Sequence, residues 1–251
     1  MLLEVNDIGI TFGGLRAVMG FNMGVDKDEI VGLIGPNGAG KTTVFNLLTG
    51  VYTPTEGKII FDQKDITGKK TNVINNLGIA RTFQNIRLFK SMSVIDNVKV
   101  AYNQNMKYNE LQGVFKFGLY KKEEAELHEK ALNLLDVFGL KGEAEENAGN
   151  LPYGKQRKLE IARALGTGPK LLLLDEPAAG MNPSETAELM EIIRLVKDKF
   201  RVSILLIEHD MSLVMNICER LYVLDYGSLI ASGPPEEIKN NQDVISAYLG
   251  E

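Results

Sequence analysis

The sequence predicts an α/β fold with a mixed sheet, an N-terminal antiparallel β part and an inserted helical segment. Residues 202–207 form an unbroken apolar run, which is typical of a strand buried on both faces of a parallel sheet. Residues 30–34 predict a strand that leads into a glycine loop and then a helix. From about residue 85 to residue 150 strong strand signals are missing, which favours a separate helical lobe.

Three N-terminal strands are predicted, at residues 2–5, 30–34 and 58–61. We expect this part to be antiparallel apart from residues 30–34. In the inserted segment, apolar residues recur at helical spacing over residues 121–138, and Gly139 is a suitable end for that helix.

The C-terminal half alternates between helices and strands. Its predicted elements are a helix at 155–165, strands at 171–174 and 202–207, and a hairpin at 221–231. The helix that ends near residue 199 has a clear start, because Asn182 can cap it, Pro183 suits its first turn and Glu185 completes a capping box. Asp210 can cap the helix that follows.

Composition and charge limit the possible functions. Of the 251 residues, 44% are hydrophobic and 24% are charged, which is ordinary for a globular protein. The net charge of −5 disfavours sequence-independent nucleic-acid binding, so we expect no nucleic-acid partner. We recognise no signal peptide and no apolar run near the roughly 20 residues that cross a bilayer. A membrane role would therefore be peripheral, and the single cysteine, Cys218, is expected in the core.

The strongest chemical signal runs from Gly35 to Thr42 and matches the phosphate-binding P-loop pattern at every fixed position. A predicted strand precedes it, and a helix from Lys41 to Thr49, stopped by Gly50, follows it. Glycines allow backbone N–H groups to surround phosphate oxygens, and the helix N-terminus adds positive charge. We expect Lys41 to reach the β- and γ-phosphates and the Thr42 hydroxyl to bind Mg²⁺. The predicted nucleotide-binding residues of this loop are Gly35, Pro36, Asn37, Gly38, Ala39, Gly40, Lys41, Thr42 and Thr43.

A second signal is the apolar strand that ends in Asp175 and Glu176. In doubly wound sheets, ligands bind beyond the carboxyl ends of the strands. We expect Asp175 to hold Mg²⁺ through its water shell and Glu176 to orient and polarise an attacking water. These two motifs also suit kinases and small GTPases, so they leave the class of protein open.

Further motifs resemble those of ABC ATPases and cover essentially the whole chain in that family's order. Residues 150–157, Asn-Leu-Pro-Tyr-Gly-Lys-Gln-Arg, resemble the signature loop, whose usual form is Leu-Ser-Gly-Gly-Gln. Gln84 matches the Q-loop glutamine, residues 179–182 lie where the family has its D-loop, and His209 matches the switch histidine. Phe12 lies where an aromatic residue usually stacks on adenine, although it could instead pack within a strand.

The resemblance implies a P-loop NTPase core of the ABC ATPase type, formed by residues 1–84 and 167–251, with a helical subdomain at 85–166. It implies ATP and Mg²⁺ as cofactors. It assigns catalysis to Lys41, Gln84, Glu176 and His209. It assigns metal binding to Thr42, Gln84 and Asp175. In addition to the P-loop, it assigns nucleotide binding to Phe12, Leu151 and Gly154.

The signature loop departs from the family pattern, because Pro152 replaces the serine and Tyr153 replaces the first glycine. In the family, that serine contacts the γ-phosphate across a dimer, and proline offers neither a hydroxyl nor an N–H. We therefore expect the site to rely on Gly154, the helix N-terminus and neighbouring backbone. This loop, residues 175–183 and the tail 227–251 are most similar to the ATP-binding subunits of branched-chain amino-acid importers.

The resemblance implies an ATPase at the cytoplasmic face of the membrane that powers import of branched-chain amino acids or similar small polar solutes. The implied partners are membrane-spanning subunits, a second ABC cassette, identical or related, in an ATP-dependent dimer, and indirectly a solute-binding protein. Ile86, Leu88, Phe89 and residues 115–120 are candidate contacts to the membrane partner, or they pack in the helical lobe. The alternatives are a cassette for urea uptake or lipopolysaccharide export, a soluble ABC ATPase and a P-loop kinase.

Overall fold

The structure is a computed structural model that describes residues 1–102 and 119–249, with backbone alone for residues 119–122. The candidate contact segment 115–120 lies outside the residues whose side chains are described. The chain is arranged in two compact units, residues 1–84 with 170–251 and residues 85–169. None of the described helices combines the length and the apolar character that crossing a bilayer requires.

The described residues contain ten strands and nine α-helices. The strands are β1 (Leu3–Phe12), β2 (Leu15–Val25), β3 (Ile30–Ile34), β4 (Glu56–Phe61), β5 (Lys64–Asp65), β6 (Ile79–Arg81), β7 (Leu171–Asp175), β8 (Ser203–Ile207), β9 (Arg220–Asp225) and β10 (Ser228–Gly233). The helices are α1 (Lys41–Leu48), α2 (Thr71–Leu77), α3 (Val94–Tyr102), α4 (Leu119–Val137), α5 (Tyr153–Leu165), α6 (Pro183–Phe200), α7 (Met211–Ile217), α8 (Pro235–Lys239) and α9 (Gln242–Leu249).

A six-stranded mixed sheet forms the centre of the first unit, in the order β10-β9-β3-β8-β7-β6. The strands from β9 to β6 are parallel, and β10 pairs antiparallel with β9 at one edge. Every residue of β3, β7 and β8 is buried, as the apolar runs predict. Because parallel strands end at the same edge of a sheet, the segments that follow β3, β7 and β8 come together there.

A four-stranded antiparallel sheet, in the order β2-β1-β4-β5, completes the β structure of this unit. The antiparallel character of the N-terminal part is therefore confirmed. One core cluster contains residues of both sheets and of α1, among them Phe21, Leu33, Phe45 and Leu205. The helix that follows the P-loop is thus anchored by apolar burial on both sheets.

Two predicted helix starts in the first unit are confirmed. The Asn182 side chain accepts hydrogen bonds from the N–H groups of Ser184 and Glu185, and Glu185 completes the capping box before α6. The Asp210 side chain caps α7 by accepting the backbone N–H groups of Ser212 and Leu213. Cys218 is buried, as expected, and it lies at the C-cap of α7. Burial raises the pKa of its thiol, which keeps it protonated and unreactive.

The second unit contains α3, α4 and α5, and a buried ion pair lies on α5. The Arg157 side chain is fully buried and pairs with Glu160 at 3.1 Å. The other end of the guanidinium donates to the Tyr153 hydroxyl at 3.0 Å. The Glu160 carboxylate also accepts the backbone N–H of Arg87 at 3.1 Å. A continuous polar chain therefore runs from the start of α5 to the segment that follows residue 85.

We expect Glu160→Ala to lower the free energy of unfolding by about 3–5 kcal/mol, because it removes the carboxylate that faces a buried guanidinium. Glu191→Ala is the control, because Glu191 pairs with Arg194 but its side chain is 73% exposed. An exposed pair is worth about 0–1 kcal/mol. Urea denaturation of both variants checks this, and equal losses would contradict the expected cost of leaving the buried guanidinium without its carboxylate.

Candidate active site

The phosphate-binding loop connects β3 to α1 through backbone that only glycine can adopt. Gly35 has a φ of +145°, and a Cβ there would lie 1.9 Å from the carbonyl oxygen of Leu224. Gly40, with a φ of +107°, directly precedes the first residue of α1. The predicted strand, loop and helix are all present, and β3 has the predicted bounds.

Lys41, the first residue of α1, places its ammonium group inside the loop. Its Nζ donates to the carbonyl oxygens of Gly35 at 2.7 Å and Pro36 at 2.9 Å. Burial lowers the pKa of Lys41, while the negative charges of Glu176 and Asp175 act in the opposite direction. The loop thus holds a cation next to the backbone N–H groups that start α1.

A cleft of about 190 Å³ joins this loop to the segments that follow β7 and β8. Its lining residues are Asn37, Gly38, Ala39, Gly40, Lys41, Thr42, Thr43, Glu176 and His209. The P-loop, the carboxylate and the histidine that the sequence assigns to one site therefore surround one cleft.

Glu176 is the centre of the polar contacts in this cleft. One carboxylate oxygen lies 3.1 Å from His209 Nε2, and the other accepts a hydrogen bond from Gln84 Nε2 at 2.7 Å. The backbone of Glu176 has a φ of +47°, in the left-handed region that non-glycine residues seldom adopt. Its N–H donates to the carbonyl oxygen of Ile207 at 3.0 Å, which helps to hold this conformation.

Asp175, the last residue of β7, is 4% exposed and pairs with Arg81 at 2.7 Å. The Arg81 guanidinium also lies over the rings of Phe45 and Phe83, at 5.4 Å and 5.1 Å from their centroids. Arg81 was not among the site residues predicted from the sequence. The only available signal was its place just before Gln84, because the contact with Asp175 depends on the pairing of β6 with β7.

The remaining predicted site residues lie elsewhere. Phe12 ends β1, is 42% exposed and packs edge-to-face on Tyr52 with 5.1 Å between ring centroids. It is not among the described residues that line the cleft. Leu151 and Gly154 are buried at the start of α5, in the second unit. Their contact with a nucleotide, like the stacking role of Phe12, stays a prediction.

The fold and the cleft together define the class of protein. A P-loop lies between a parallel strand and a helix, at the carboxyl edge of a mixed α/β sheet. An acidic residue and a histidine from neighbouring strands lie across the cleft from that loop. This arrangement is that of a P-loop nucleotide-binding protein.

Comparisons with known proteins define the family. The family model described as "ABC transporter" matches residues 18–179, and the model described as "Branched-chain amino acid ATP-binding cassette transporter" matches residues 228–251. The chain is 48% identical to the high-affinity branched-chain amino acid transport ATP-binding protein BraF of Pseudomonas aeruginosa. It is 49% identical to LivG, the protein of the same description in Escherichia coli K12. Each comparison covers 100% of this chain and 98% of the relative.

Among solved structures, the chain is similar to the ADP conformation of an ATP-binding cassette of an ABC transporter, with a TM-score of 0.86. The two sequences are 33% identical, and the comparison covers 100% of this chain and 99% of the other. The chain belongs to the ATP-binding cassettes of ABC transporters and, within them, to the branched-chain amino acid transport ATP-binding proteins. The resemblance inferred from the motifs is thus confirmed. ATP binding and hydrolysis are general activities of this family.

We expect Gly35→Ala to destabilise the protein more than Gly38→Ala does. Both glycines have positive φ, which costs alanine about 1–2 kcal/mol. A Cβ at residue 38 meets no atom within 4 Å, whereas at residue 35 it collides with backbone. Overpacking should therefore add about 1–3 kcal/mol at residue 35. Denaturation without nucleotide measures both losses, and equal values would contradict this account of the loop.

Proposed function

We propose that the chain is the ATP-hydrolysing subunit of a membrane importer for branched-chain amino acids. The observation that supports this most directly is the cleft in which the P-loop and Lys41 face the Glu176–His209 pair. One side of the cleft can bind phosphates and the other can position an attacking water, and nucleotide hydrolysis depends on both.

The P-loop binds the triphosphate of ATP. The backbone N–H groups of residues 38–43 and the start of α1 surround the phosphate oxygens. Lys41 exchanges its contacts with the loop carbonyls for the β- and γ-phosphates. Its ammonium group is already placed at the loop by those two carbonyls, so little reorganisation is needed. Phe12 stacks on the adenine.

Thr42, Gln84 and Asp175 would hold Mg²⁺, with Asp175 acting through the water shell of the ion. These donors fit the ion, because Mg²⁺ prefers oxygen ligands and takes only one or two carboxylates from a protein. Asp175 directs a nearly buried carboxylate to the carboxyl edge of the sheet, where Arg81 fixes one of its oxygens. When bound, the ion neutralises negative charge on the phosphates.

Glu176 is the general base of hydrolysis, which orients a water for attack on the γ-phosphate. Gln84 and His209 each contact one of its carboxylate oxygens, so they fix the direction in which the carboxylate points. His209 also contacts the γ-phosphate. Catalysis in P-loop enzymes is mainly positioning and charge stabilisation, which these contacts provide.

The complete site requires a second cassette, identical to this chain or related to it. Leu151, Gly154 and the start of α5 of one cassette contact the ATP that is bound to the other. Gly154 and the helix N-terminus supply this contact, because Pro152 has neither a hydroxyl nor an N–H. ATP joins the two cassettes and hydrolysis releases them, so that the difference in affinity between ATP and ADP drives the transporter.

The pair of cassettes works on membrane-spanning subunits at the cytoplasmic face of the membrane, as a peripheral protein. A solute-binding protein delivers the amino acid on the other side. The proposal for the cargo rests on relatives that are 48–49% identical over the full chain and named for branched-chain amino acid transport. The match of residues 228–251 to the family model of branched-chain amino acid cassettes also supports it.

We expect Glu176→Gln to lower the rate of phosphate release about 100-fold or more, because it removes the general base. The affinity for ATP should stay nearly the same, and MgATP should hold the variant as a dimer. Glu191→Gln, which changes an exposed carboxylate of α6, should match the wild type. Phosphate-release kinetics, ATP binding and gel filtration check the three expectations. A normal rate in Glu176→Gln would disprove the assignment of the base.

The cargo is tested by uptake in cells that lack this chain. We expect the wild-type chain to restore ATP-dependent uptake of labelled leucine, isoleucine and valine, and Glu176→Gln not to restore it. Labelled urea serves as the control solute. Restored uptake of urea without that of leucine would overturn the cargo proposal and leave the ATPase assignment intact.

A further inference from the structure

Glu208 is a buried carboxylate that is not among the site residues predicted from the sequence. It directly follows β8, immediately before His209, and is 3% exposed. It is not among the described residues that line the cleft. Placing a carboxylate in the interior costs free energy unless its oxygens are hydrogen-bonded, so its contacts require an explanation.

The contacts of Glu208 join two separate segments of the chain. One carboxylate oxygen accepts the backbone N–H of Ala178 at 2.7 Å. The other accepts the N–H groups of His209 at 2.9 Å and Asp210 at 3.4 Å. Ala178 lies two residues after Glu176, and His209 is the residue that contacts Glu176. One side chain thus binds the backbone on both sides of the catalytic pair.

These bonds lie where the pairing of the two strands ends. The last paired residues of β7 and β8 are Asp175 and Ile207. The N–H of Glu176 still reaches the carbonyl oxygen of Ile207, at 3.0 Å. The Glu208 carboxylate adds a second connection between the segments that follow β7 and β8, because it accepts the N–H of Ala178. The backbone of residues 176–178 is therefore attached to the β8 end at two points.

The electrostatic surroundings agree with this geometry. Burial raises the pKa of Glu208, the N–H groups of Ala178, His209 and Asp210 act to lower it, and the charge of Glu176 raises it further. The bonds from backbone N–H groups thus offset part of the cost of placing this carboxylate beside another acidic residue.

We propose that Glu208 is a positioning residue, whose carboxylate holds the segments 176–178 and 209–210 together and so fixes the Glu176–His209 pair for hydrolysis. The inference rests on the proposed function, because it assumes that Glu176 and His209 act on the γ-phosphate. Glu208 itself does not line the cleft. Its effect passes through the 3.1 Å contact between His209 Nε2 and the Glu176 carboxylate.

Glu208→Gln tests this role in the full-length protein. Glutamine keeps the size of the side chain but has one acceptor oxygen, so its NH₂ group must face the N–H groups of one of the two segments. We expect kcat for MgATP hydrolysis to fall about 10–100-fold, since small displacements of catalytic groups cost about that much. The Kd for ATP should change less than about threefold, because the P-loop contacts are unaltered.

Glu29→Gln is the matched control. Glu29 is a largely buried carboxylate that also accepts a backbone N–H, that of Asp26 at 2.7 Å, but it precedes β3 at the other end of the sheet. Its kcat and Kd should match the wild type. If Glu208→Gln does not fold, Glu208→Asp replaces it, because aspartate keeps the charge but is one methylene too short to reach both segments. It should show the same loss of kcat with little change in Kd.

The outcomes separate the inference from the proposed function. An unchanged kcat in a folded Glu208 variant overturns the inference, and so does a Kd that weakens in proportion to kcat. A loss of kcat with Kd retained, together with a normal Glu29→Gln, supports it. If the wild-type protein shows no magnesium-dependent ATP hydrolysis, the proposed function is wrong. The inference about Glu208 is then wrong as well.

Discussion

The parallel pairing of β3, β8 and β7 is the constraint on which the active site depends. Val31 lies opposite Leu205, and Leu174 lies opposite Leu206, in strands where every residue is buried. Because successive side chains point to opposite faces, a slip of one residue would move each buried side chain to the other face of the sheet, against packing partners of a different shape. The same slip would move Glu176 away from His209, so one set of backbone hydrogen bonds fixes both the core and the cleft.

Each unit contains a buried ion pair between an arginine and a carboxylate. Asp175 pairs with Arg81 in the first unit, and Glu160 pairs with Arg157 in the second. In each case the arginine has a further contact, with aromatic rings at Arg81 and with the Tyr153 hydroxyl at Arg157. The tyrosine that departs from the usual signature sequence thus has a hydrogen-bond partner of its own, one turn later on α5.

Local signals in the sequence were sufficient for much of this architecture. The P-loop, the bounds of β3 and the capping box at Asn182 could be predicted, because each depends on neighbouring residues alone. β2 was missed, since glycines and polar residues interrupt its apolar pattern, and the three residues of β6 are too few to show a period. Arg81 and Glu208 were missed for another reason: their partners are 94 and 30 residues away in the sequence, and only the fold brings them together.

Glu176 also shows that stability and turnover make opposite demands on one position. At its φ of +47°, a residue with a Cβ has a higher conformational energy than glycine. Asparagine adopts this conformation more readily than most other residues. Replacement of Glu176 by glycine or asparagine would relax the backbone between β7 and α6 and remove the carboxylate that we propose as the general base. The protein retains a locally unfavourable residue here, and selection for heat resistance alone would act against the role in hydrolysis that we propose for it.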